Sequence, residues 1–185
     1  MTTLETLLTT PRLMIRPLRR EDVTSRYVEA LNDPEVVGMT EARHVAWDPD
    51  RVLEYVEQMN CDGVSQLWGV FLKDSGQHIG NIRLFNFHPT HRRAELSIMI
   101  FDRACWSRGY ATEAMRAVTD FAFERLGLHR ICADYYATNR ASARLFAKAG
   151  FAVEGVFRDH FHVDGGFVDS VRVGKLRDGT ARRTA

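Results

Sequence analysis

The spacing of apolar residues changes several times along the chain, and each spacing predicts a different element. Arg12–Leu18 alternates over a short stretch and is typical of a strand, whereas Glu21–Leu31 has the pattern of a helix. Apolar side chains at i, i+3, i+4 and i+7 predict a second helix over Asp48–Met59. The first quarter of the chain is therefore expected to form one strand followed by two helices.

The middle of the chain alternates with the period of two that is typical of strands. Three such segments follow one another, Gln66–Leu72, Ile79–Phe87 and Ala94–Phe101. The first two flank a short polar stretch that contains Gly76, which can adopt the positive φ of a hairpin loop. We expect three consecutive antiparallel strands.

A helical period returns over Tyr110–Leu126, where one face is apolar and the other is charged, with Glu113 on the charged face. Gly127 follows where a helix-terminating glycine is expected. Arg130–Ala137 is then a strand, and a strand–helix–strand unit places its two strands in parallel. Ala94–Phe101 and Arg130–Ala137 should therefore be parallel neighbours.

The last third of the chain predicts a helix over Asn139–Ala149, followed by two strands, Phe151–Phe157 and Phe161–Val173. No internal repeat or linker divides the chain, so one domain is expected over residues 1–176. Residues 177–185 are rich in arginine and are expected to form a flexible tail.

Composition narrows the class of protein. The chain has 185 residues, of which 45% are apolar and 26% charged, and it has no apolar run of the roughly 20 residues that cross a bilayer. Its net charge of +1, without a basic stripe, predicts neither nucleic acid nor membrane as a partner. The three cysteines have no disulfide-like spacing and no export signal is found at the N-terminus, so a cytoplasmic protein with reduced thiols is expected.

Candidate chemistry is concentrated at the junction Trp106–Glu113, where a strand ends and the long helix begins. Gly109 permits a tight turn, and the first backbone N–H groups of a helix have no partner within it, so they can bind an anion such as a diphosphate. Arg108 lies at the same place, and Arg103 could add a second positive charge. The alternative is a simple turn at Gly109 with Ser107 or Thr112 as a helix cap.

Several motifs occur together in an order that resembles the GNAT acetyltransferases, particularly their RimJ/RimL-like branch. They are Thr10–Leu18, Ile79–Ile82, Ala94–Ile98, Trp106–Ala114, Asn139–Ser142, Lys148–Gly155 and Asp164–Asp169. The resemblance covers nearly the whole chain. It implies an α/β (α+β) fold with a mixed, mostly antiparallel sheet, a parallel splayed strand pair and helices on both faces.

The resemblance also implies a site for acetyl-CoA. The diphosphate loop of the family falls on Trp106–Ala111, although Trp106 replaces the usual Arg or Gln. The backbone amides implied are those of Arg108, Gly109, Tyr110, Ala111 and Thr112. The pantetheine arm would lie along Ile98, Met99 and Ile100, supported by Asn139, and Arg144 and Lys148 would reach the phosphates unless they belong to a solvated helix face.

The implied reaction is transfer of the acetyl group to a primary amine, either a protein N-terminus, an amino sugar or a polyamine. Such an amine must lose a proton first, and Glu95 is the candidate general base. The alternative for Glu95 is an ion pair with Arg92 or Arg93. His160 is the reserve base together with His162, although either histidine can equally be a surface residue.

A general acid could help the thiolate to leave. Many family members have a tyrosine seven residues after the asparagine, but that position is Phe146 here. In the RimJ/RimL-like branch the serine of Asn-x-x-Ser is the substitute, which maps to Ser142. Its alternative role is helix capping around Asn139. A strand N–H near Met99 would stabilise the oxyanion.

The sequence argues against three other kinds of function. The chain lacks both Gly-x-Gly-x-x-Gly after its first strand and the Gly-Lys-Ser/Thr of a phosphate-binding loop, which disfavours a nucleotide-dependent enzyme. The His88/His91 and His160/His162 pairs have no matching ligand set, so no metal is expected. An acyl-cysteine at Cys105 is disfavoured because no histidine adjoins it. The remaining alternative is a non-catalytic acyl-CoA-binding sensor. A monomer or a homodimer is expected.

Overall fold

A single mixed sheet organises the chain in the computed structural model, which describes residues 6–61 and 65–178. Its eight strands follow the order β1-β2-β3-β4-β5-β6-β8-β7. They are β1 Leu8–Thr9, β2 Leu13–Pro17, β3 Gln66–Leu72, β4 His78–His88, β5 Arg93–Ile100, β6 Arg130–Tyr136, β7 Ala152–Val163 and β8 Gly166–Leu176. Most of the predicted flexible tail, residues 179–185, lies outside the described part of the chain.

Five α-helices accompany the sheet within the described residues. They are α1 Ser25–Leu31, α2 Pro34–Val37, α3 Pro49–Cys61, α4 Tyr110–Glu124 and α5 Arg140–Lys148, with short 3-10 turns at Arg20–Asp22, Glu41–His44 and Arg103–Cys105. None of the helices within the described residues has the length and apolar character needed to cross a membrane.

The parallel pair expected from the sequence is present, and it is short. β5 and β6 pair at three positions, the last of them Glu95 with Cys132. Every other neighbouring pair in the sheet is antiparallel. Beyond Glu95, β5 continues to Ile100 while β6 continues to Tyr136, with no pairing between them among the described residues. The sheet therefore opens into a gap between β5 and β6, which confirms the predicted splayed pair.

Two apolar cores lie on the two faces of the sheet. The stripe of α4, with Ala114, Met115 and Val118 fully buried, packs with side chains of β2–β6 on one face. Residues of α1, α2 and α3, such as Tyr27 and Val52, pack on the other face. β3 is buried over nearly its whole length because it lies between the two layers, so its side chains cannot show the simple alternation of a half-exposed strand.

The predicted helix Glu21–Leu31 is wrong in its first half. Asp22 belongs to a separate 3-10 turn, and its carboxylate accepts two hydrogen bonds of 2.7 Å from the guanidinium of Arg16. The α-helix begins only after Thr24, whose hydroxyl accepts the N–H of Tyr27 at 3.3 Å. The buried ion pair of Asp22 thus interrupts a helical pattern that the sequence presents as continuous.

The turn of the last hairpin was also placed wrongly. The sequence predicts a break between Phe157 and Phe161, whereas β7 runs through that point and the chain turns at Asp164 and Gly165. Both turn residues have positive φ, 49° and 82°, which is the geometry of a type I′ turn and matches the twist of a hairpin. Residues 158–160 form an irregularity within β7, where Asp159 has a φ of 49°.

Candidate functional site

The N-terminus of α4 lies directly after the splayed end of β5. Gly109 is its N-cap, with φ of 83° and ψ of 1°, and Ser107 also has a positive φ of 59°. The first intrahelical bond is donated by the N–H of Glu113 to the carbonyl of Gly109 at 3.0 Å. Three amides before it have no acceptor in residues 6–61 and 65–178: Tyr110, Ala111 and Thr112. These half-buried N–H groups are free to bind an anion.

The two arginines predicted for this loop are in different situations. Arg108 is exposed beside the free amides, and its side chain makes no ion pair within the described residues. Arg103 is turned towards α2, where it pairs with Glu35 and lies 3.7 Å from a carboxylate oxygen of Asp33. The structure therefore supports Arg108 as the available charge, while the charge of Arg103 is largely compensated by neighbouring carboxylates.

The segment before β2 contacts the first turn of α4 through Glu113. The carboxylate of Glu113 accepts hydrogen bonds from the Thr10 hydroxyl at 2.5 Å, the Arg12 backbone N–H at 3.0 Å and Arg12 Nε at 2.7 Å. Burial alone would raise the pKa of Glu113, but these hydrogen bonds outweigh it and lower the pKa. Glu113 is thus an ionised anchor that joins the first turn of α4 to the segment before β2.

The predicted pantetheine strand lines the gap, with Ile98, Met99 and Ile100 half-buried and paired on one side only, to β4. The carbonyl of Ile100 already accepts a hydrogen bond of 2.7 Å from the indole of Trp106. Trp106 therefore ties the loop to the end of β5. In the antiparallel register with β4, the backbone groups of Ile98 face the gap and are unpaired in the described part of the chain, whereas those of Met99 face Asn81 on β4. The predicted role of the Met99 backbone is therefore wrong.

Across the gap, β6 leads into α5. Asn139 caps this helix, because its side-chain oxygen accepts the N–H of Ser142 at 3.0 Å. Ser142 is half-buried in the first turn, and α5 begins four residues after β6 ends at Tyr136. Arg144 and Lys148 are exposed further along the helix, and the carbonyl of Lys148 accepts a hydrogen bond of 2.6 Å from Arg116 on α4.

Glu95 lies at the narrow end of the gap, on the last paired rung of β5 and β6. Its carboxylate is 3.3 Å from Arg172 on β8, and only 20% of its side chain is exposed. Arg172 also pairs with Asp134 on β6. The alternative partners Arg92 and Arg93 do not pair with Glu95 in the described structure, so Glu95 is an ion-paired carboxylate with a different arginine from those expected.

The predicted reserve base His160 lies on β7, the outer strand, and is exposed. Its ring contacts Phe161 with centroids 4.9 Å apart, and Phe161 stacks on Tyr136 of β6 at 4.0 Å. The Tyr136 hydroxyl donates a hydrogen bond to Glu41; burial and this carboxylate raise the pKa of Tyr136 to about 12. His160 and Glu95 are not joined by any contact among the described residues.

Neither His88 and His91 nor His160 and His162 belong to a metal-binding cluster within the described residues. His88 and His91 stack with ring centroids 4.2 Å apart. Within residues 6–61 and 65–178 there is no group of three or more His, Cys, Asp or Glu side chains that could hold a metal ion.

Cys105 lies just before the loop and is 5% exposed. Burial, together with the neighbouring carboxylate of Asp102, raises the pKa of its thiol to about 11. Because the thiolate is the reactive form, we expect Cys105 to remain unmodified by iodoacetamide at pH 7.5 in the folded protein and to react fully after denaturation. Peptide-resolved mass spectrometry measures this, and rapid labelling of the native protein would contradict it.

Some important residues were not identified as site residues in the sequence. Arg12 had been treated only as part of a strand, and Arg172 and Glu41 had no local motif. They matter through partners far away in the chain: Arg12 contacts Glu113, and Arg172 contacts Glu95. The one local signal available was Glu113, an acidic residue in the first turn of a helix.

Comparison with known proteins places this geometry among enzymes that share one domain. Residues 12–152 match the model of the acetyltransferase (GNAT) domain. The uncharacterized N-acetyltransferase YoaA of Bacillus subtilis is 38% identical over 98 residues, which are 53% of this chain and 55% of that protein. The match thus spans only about half the length of that relative.

Two solved structures share the fold at low sequence identity. The Vibrio cholerae spermidine N-acetyltransferase, solved in complex with CoA and spermine, has a TM-score of 0.80 and 23% identity, covering 90% of this chain and 96% of that one. The ribosomal-protein-S5-alanine acetyltransferase of Vibrio fischeri has a TM-score of 0.82 and 20% identity, covering 94% and 98%.

Proposed function

Because the chain belongs to the GNAT acetyltransferase family, we propose that it transfers the acetyl group of acetyl-CoA to a primary amine. The observation that carries this proposal is the set of free amides at the start of α4, Tyr110 to Thr112, beside the open gap between β5 and β6. A diphosphate needs donors of this kind, and an extended thiol ester needs a slot next to them.

The residues present fit coenzyme A. The free amides and the exposed Arg108 offer donors and one positive charge for the diphosphate, and Arg144 and Lys148 lie exposed on the neighbouring helix for the remaining phosphate. The unpaired edge of Ile98 offers backbone groups to the amides of the pantetheine arm, in the manner of an added strand.

Bound acetyl-CoA supplies an activated acyl group, and the protein's own residues handle the protons. Glu95 accepts the proton of the incoming ammonium, directly or through one water, at the narrow end of the gap. Arg172 holds the Glu95 carboxylate in place at 3.3 Å. A strand N–H next to Met99 that faces the gap, such as that of Ile98, would stabilise the oxyanion, and Ser142 would donate a proton to the departing sulfur.

The acceptor is proposed to enter from the face that carries α1–α3. A cavity of about 540 Å³ lies there between the α1–α2 segment and the β7–β8 turn, lined by Leu31, Val37, Arg43, His162 and Asp164 among others. Arg43 closes part of it by donating a hydrogen bond of 2.8 Å to the carbonyl of His162. Its mixed lining is compatible with a protein N-terminus, an amino sugar or a polyamine.

We propose that the chain belongs to the RimJ/RimL-like branch; the motifs of its sequence support this, and the ribosomal-protein acetyltransferase has the same fold. The spermidine enzyme shows that the same fold also serves polyamines. An experiment therefore has to identify the class of amine acceptor.

The test combines binding with turnover. Calorimetry on the folded protein is expected to show coenzyme A binding, and release of free thiol from acetyl-CoA is expected with at least one of three acceptors: a peptide starting with alanine or serine, glucosamine, or spermidine. Binding without turnover of any acceptor would favour the non-catalytic sensor instead. Absence of coenzyme binding would overturn both functions.

A further inference from the structure

Arg12 makes more contacts with the candidate diphosphate loop than any sequence motif indicates. Its backbone N–H and its Nε bind the two carboxylate oxygens of Glu113, at 3.0 Å and 2.7 Å. Its Nη1 donates to the backbone carbonyl of Arg108 at 3.0 Å, and its guanidinium lies 4.4 Å from the ring centroid of Tyr110. One side chain therefore touches the residues on both sides of Gly109.

The bond to the Arg108 carbonyl has a geometric consequence. The chain has no cis peptide bond among its described residues, and in a trans peptide the carbonyl and the following N–H point in opposite directions. Holding the carbonyl of Arg108 towards Arg12 therefore directs the N–H of Gly109 away from Arg12. That N–H has no acceptor in the part of the chain described. Its direction is set by Arg12.

This peptide has a second orientation available to it. A flip of the plane between residues 108 and 109 changes ψ of Arg108 and φ of Gly109, and glycine accepts either sign of φ. The observed φ of 83° corresponds to one of the two states. Gly109 itself has no preference between the two peptide orientations. The guanidinium of Arg12 selects one of them, because it binds the Arg108 carbonyl and Glu113 at the same time.

We propose that Arg12 is a positioning residue for coenzyme binding, which locks the Arg108–Gly109 peptide so that the Gly109 N–H joins the amides of α4 in facing the diphosphate. This inference rests on the proposed function. Arg12 lies about one hundred positions before the loop in the sequence. The proposal adds it to the residues that bind the acetyl donor.

A donor that lacks the diphosphate separates this role from a general structural one. S-acetylpantetheine carries the same thioester and arm as acetyl-CoA but has no phosphate to meet the loop. In Arg12→Ala, kcat/KM for acetyl-CoA should fall about tenfold, because the cradle is misaligned, while kcat/KM for S-acetylpantetheine stays as in the wild type. The dissociation constant of coenzyme A, from calorimetry, should rise by a similar factor.

Two further variants make the result specific. Arg12→Lys keeps the charge beside Glu113 but cannot bind both the carboxylate and the Arg108 carbonyl with a rigid fork, so it should resemble Arg12→Ala. Arg19→Ala removes an exposed arginine that pairs only loosely with Glu21, at 3.7 Å, and should leave both donors unaffected.

The outcomes are distinguishable. An equal loss for both donors in Arg12→Ala, or no loss for either, overturns the positioning role. Wild-type protein that uses both donors equally well overturns the diphosphate site and the role of Arg12 in it, but not acetyl transfer. Wild-type protein that binds no coenzyme A overturns the proposed function itself.

Discussion

Glu95→Gln is expected to reduce acetyl transfer by about 10²- to 10³-fold at neutral pH, with little change in the KM for acetyl-CoA. At this pH an aliphatic amine with a pKa of about 10.4 is almost wholly protonated, so the rate depends on a group that removes its proton. The substitution keeps the size of the side chain and an oxygen that can still accept from Arg172, so the fold should be retained. Steady-state kinetics of acetyl transfer measure the change.

The dependence of the Glu95→Gln rate on pH distinguishes a general base from a structural role of Glu95. As the pH approaches the pKa of the amine, the acceptor loses its proton without help, so the variant should approach the wild-type rate. A matched control is Asp134→Asn, which removes the other carboxylate on Arg172 and leaves Glu95 in place; it should remain active. A deficit in Glu95→Gln that is constant from pH 7 to pH 10 would show that Glu95 acts through structure and not as a base.

Gly109→Ala is expected to weaken coenzyme A binding at least tenfold. The φ of 83° is strained for alanine by about 1–2 kcal/mol, so the loop either keeps the strain or relaxes to a negative φ and turns its amides away. Steric conflict is not the reason, since an added Cβ would meet only Arg12 Nη2, at the ordinary distance of 3.5 Å. Calorimetric titration with coenzyme A, together with thermal unfolding, tests the prediction.

Gly76→Ala is the matched control for that variant. Gly76 has a φ of 70°, an added Cβ there would meet nothing within 4 Å, and the residue lies in the β3–β4 turn. The two substitutions should therefore lower the melting temperature by similar amounts, whereas only Gly109→Ala should change the dissociation constant of coenzyme A. Equal coenzyme affinity in both variants would refute the cradle at Gly109.

Much of the fold could be predicted because its elements follow local rules. The stripe of α4 and the alternation of β5 are visible within a dozen residues, and the parallel pairing of β5 with β6 follows from the helix between them. The last hairpin was misplaced although Asp164-Gly165 is a strong turn signal, because residues 158–160 also break the alternation. In the structure those residues form an irregularity within one strand.

The site was predictable only where the backbone defines it. The turn at Gly109 and the cap at Asn139 depend on neighbours in sequence, and both were identified. The partners of Glu113 and Glu95 were not, since Arg12 and Arg172 reach them across 101 and 77 positions. Such contacts depend on how strands are ordered in the sheet, and a single sequence carries no local trace of them.

The brevity of the parallel pairing has a mechanical meaning. Strands β1–β5 and β6–β8 form two antiparallel ladders that are joined by three residue pairs at one end. A rotation of one ladder relative to the other about the β5–β6 pairs breaks no backbone hydrogen bond within either ladder. Beyond Glu95 the width of the slot is therefore set by side-chain packing and not by backbone hydrogen bonds between β5 and β6.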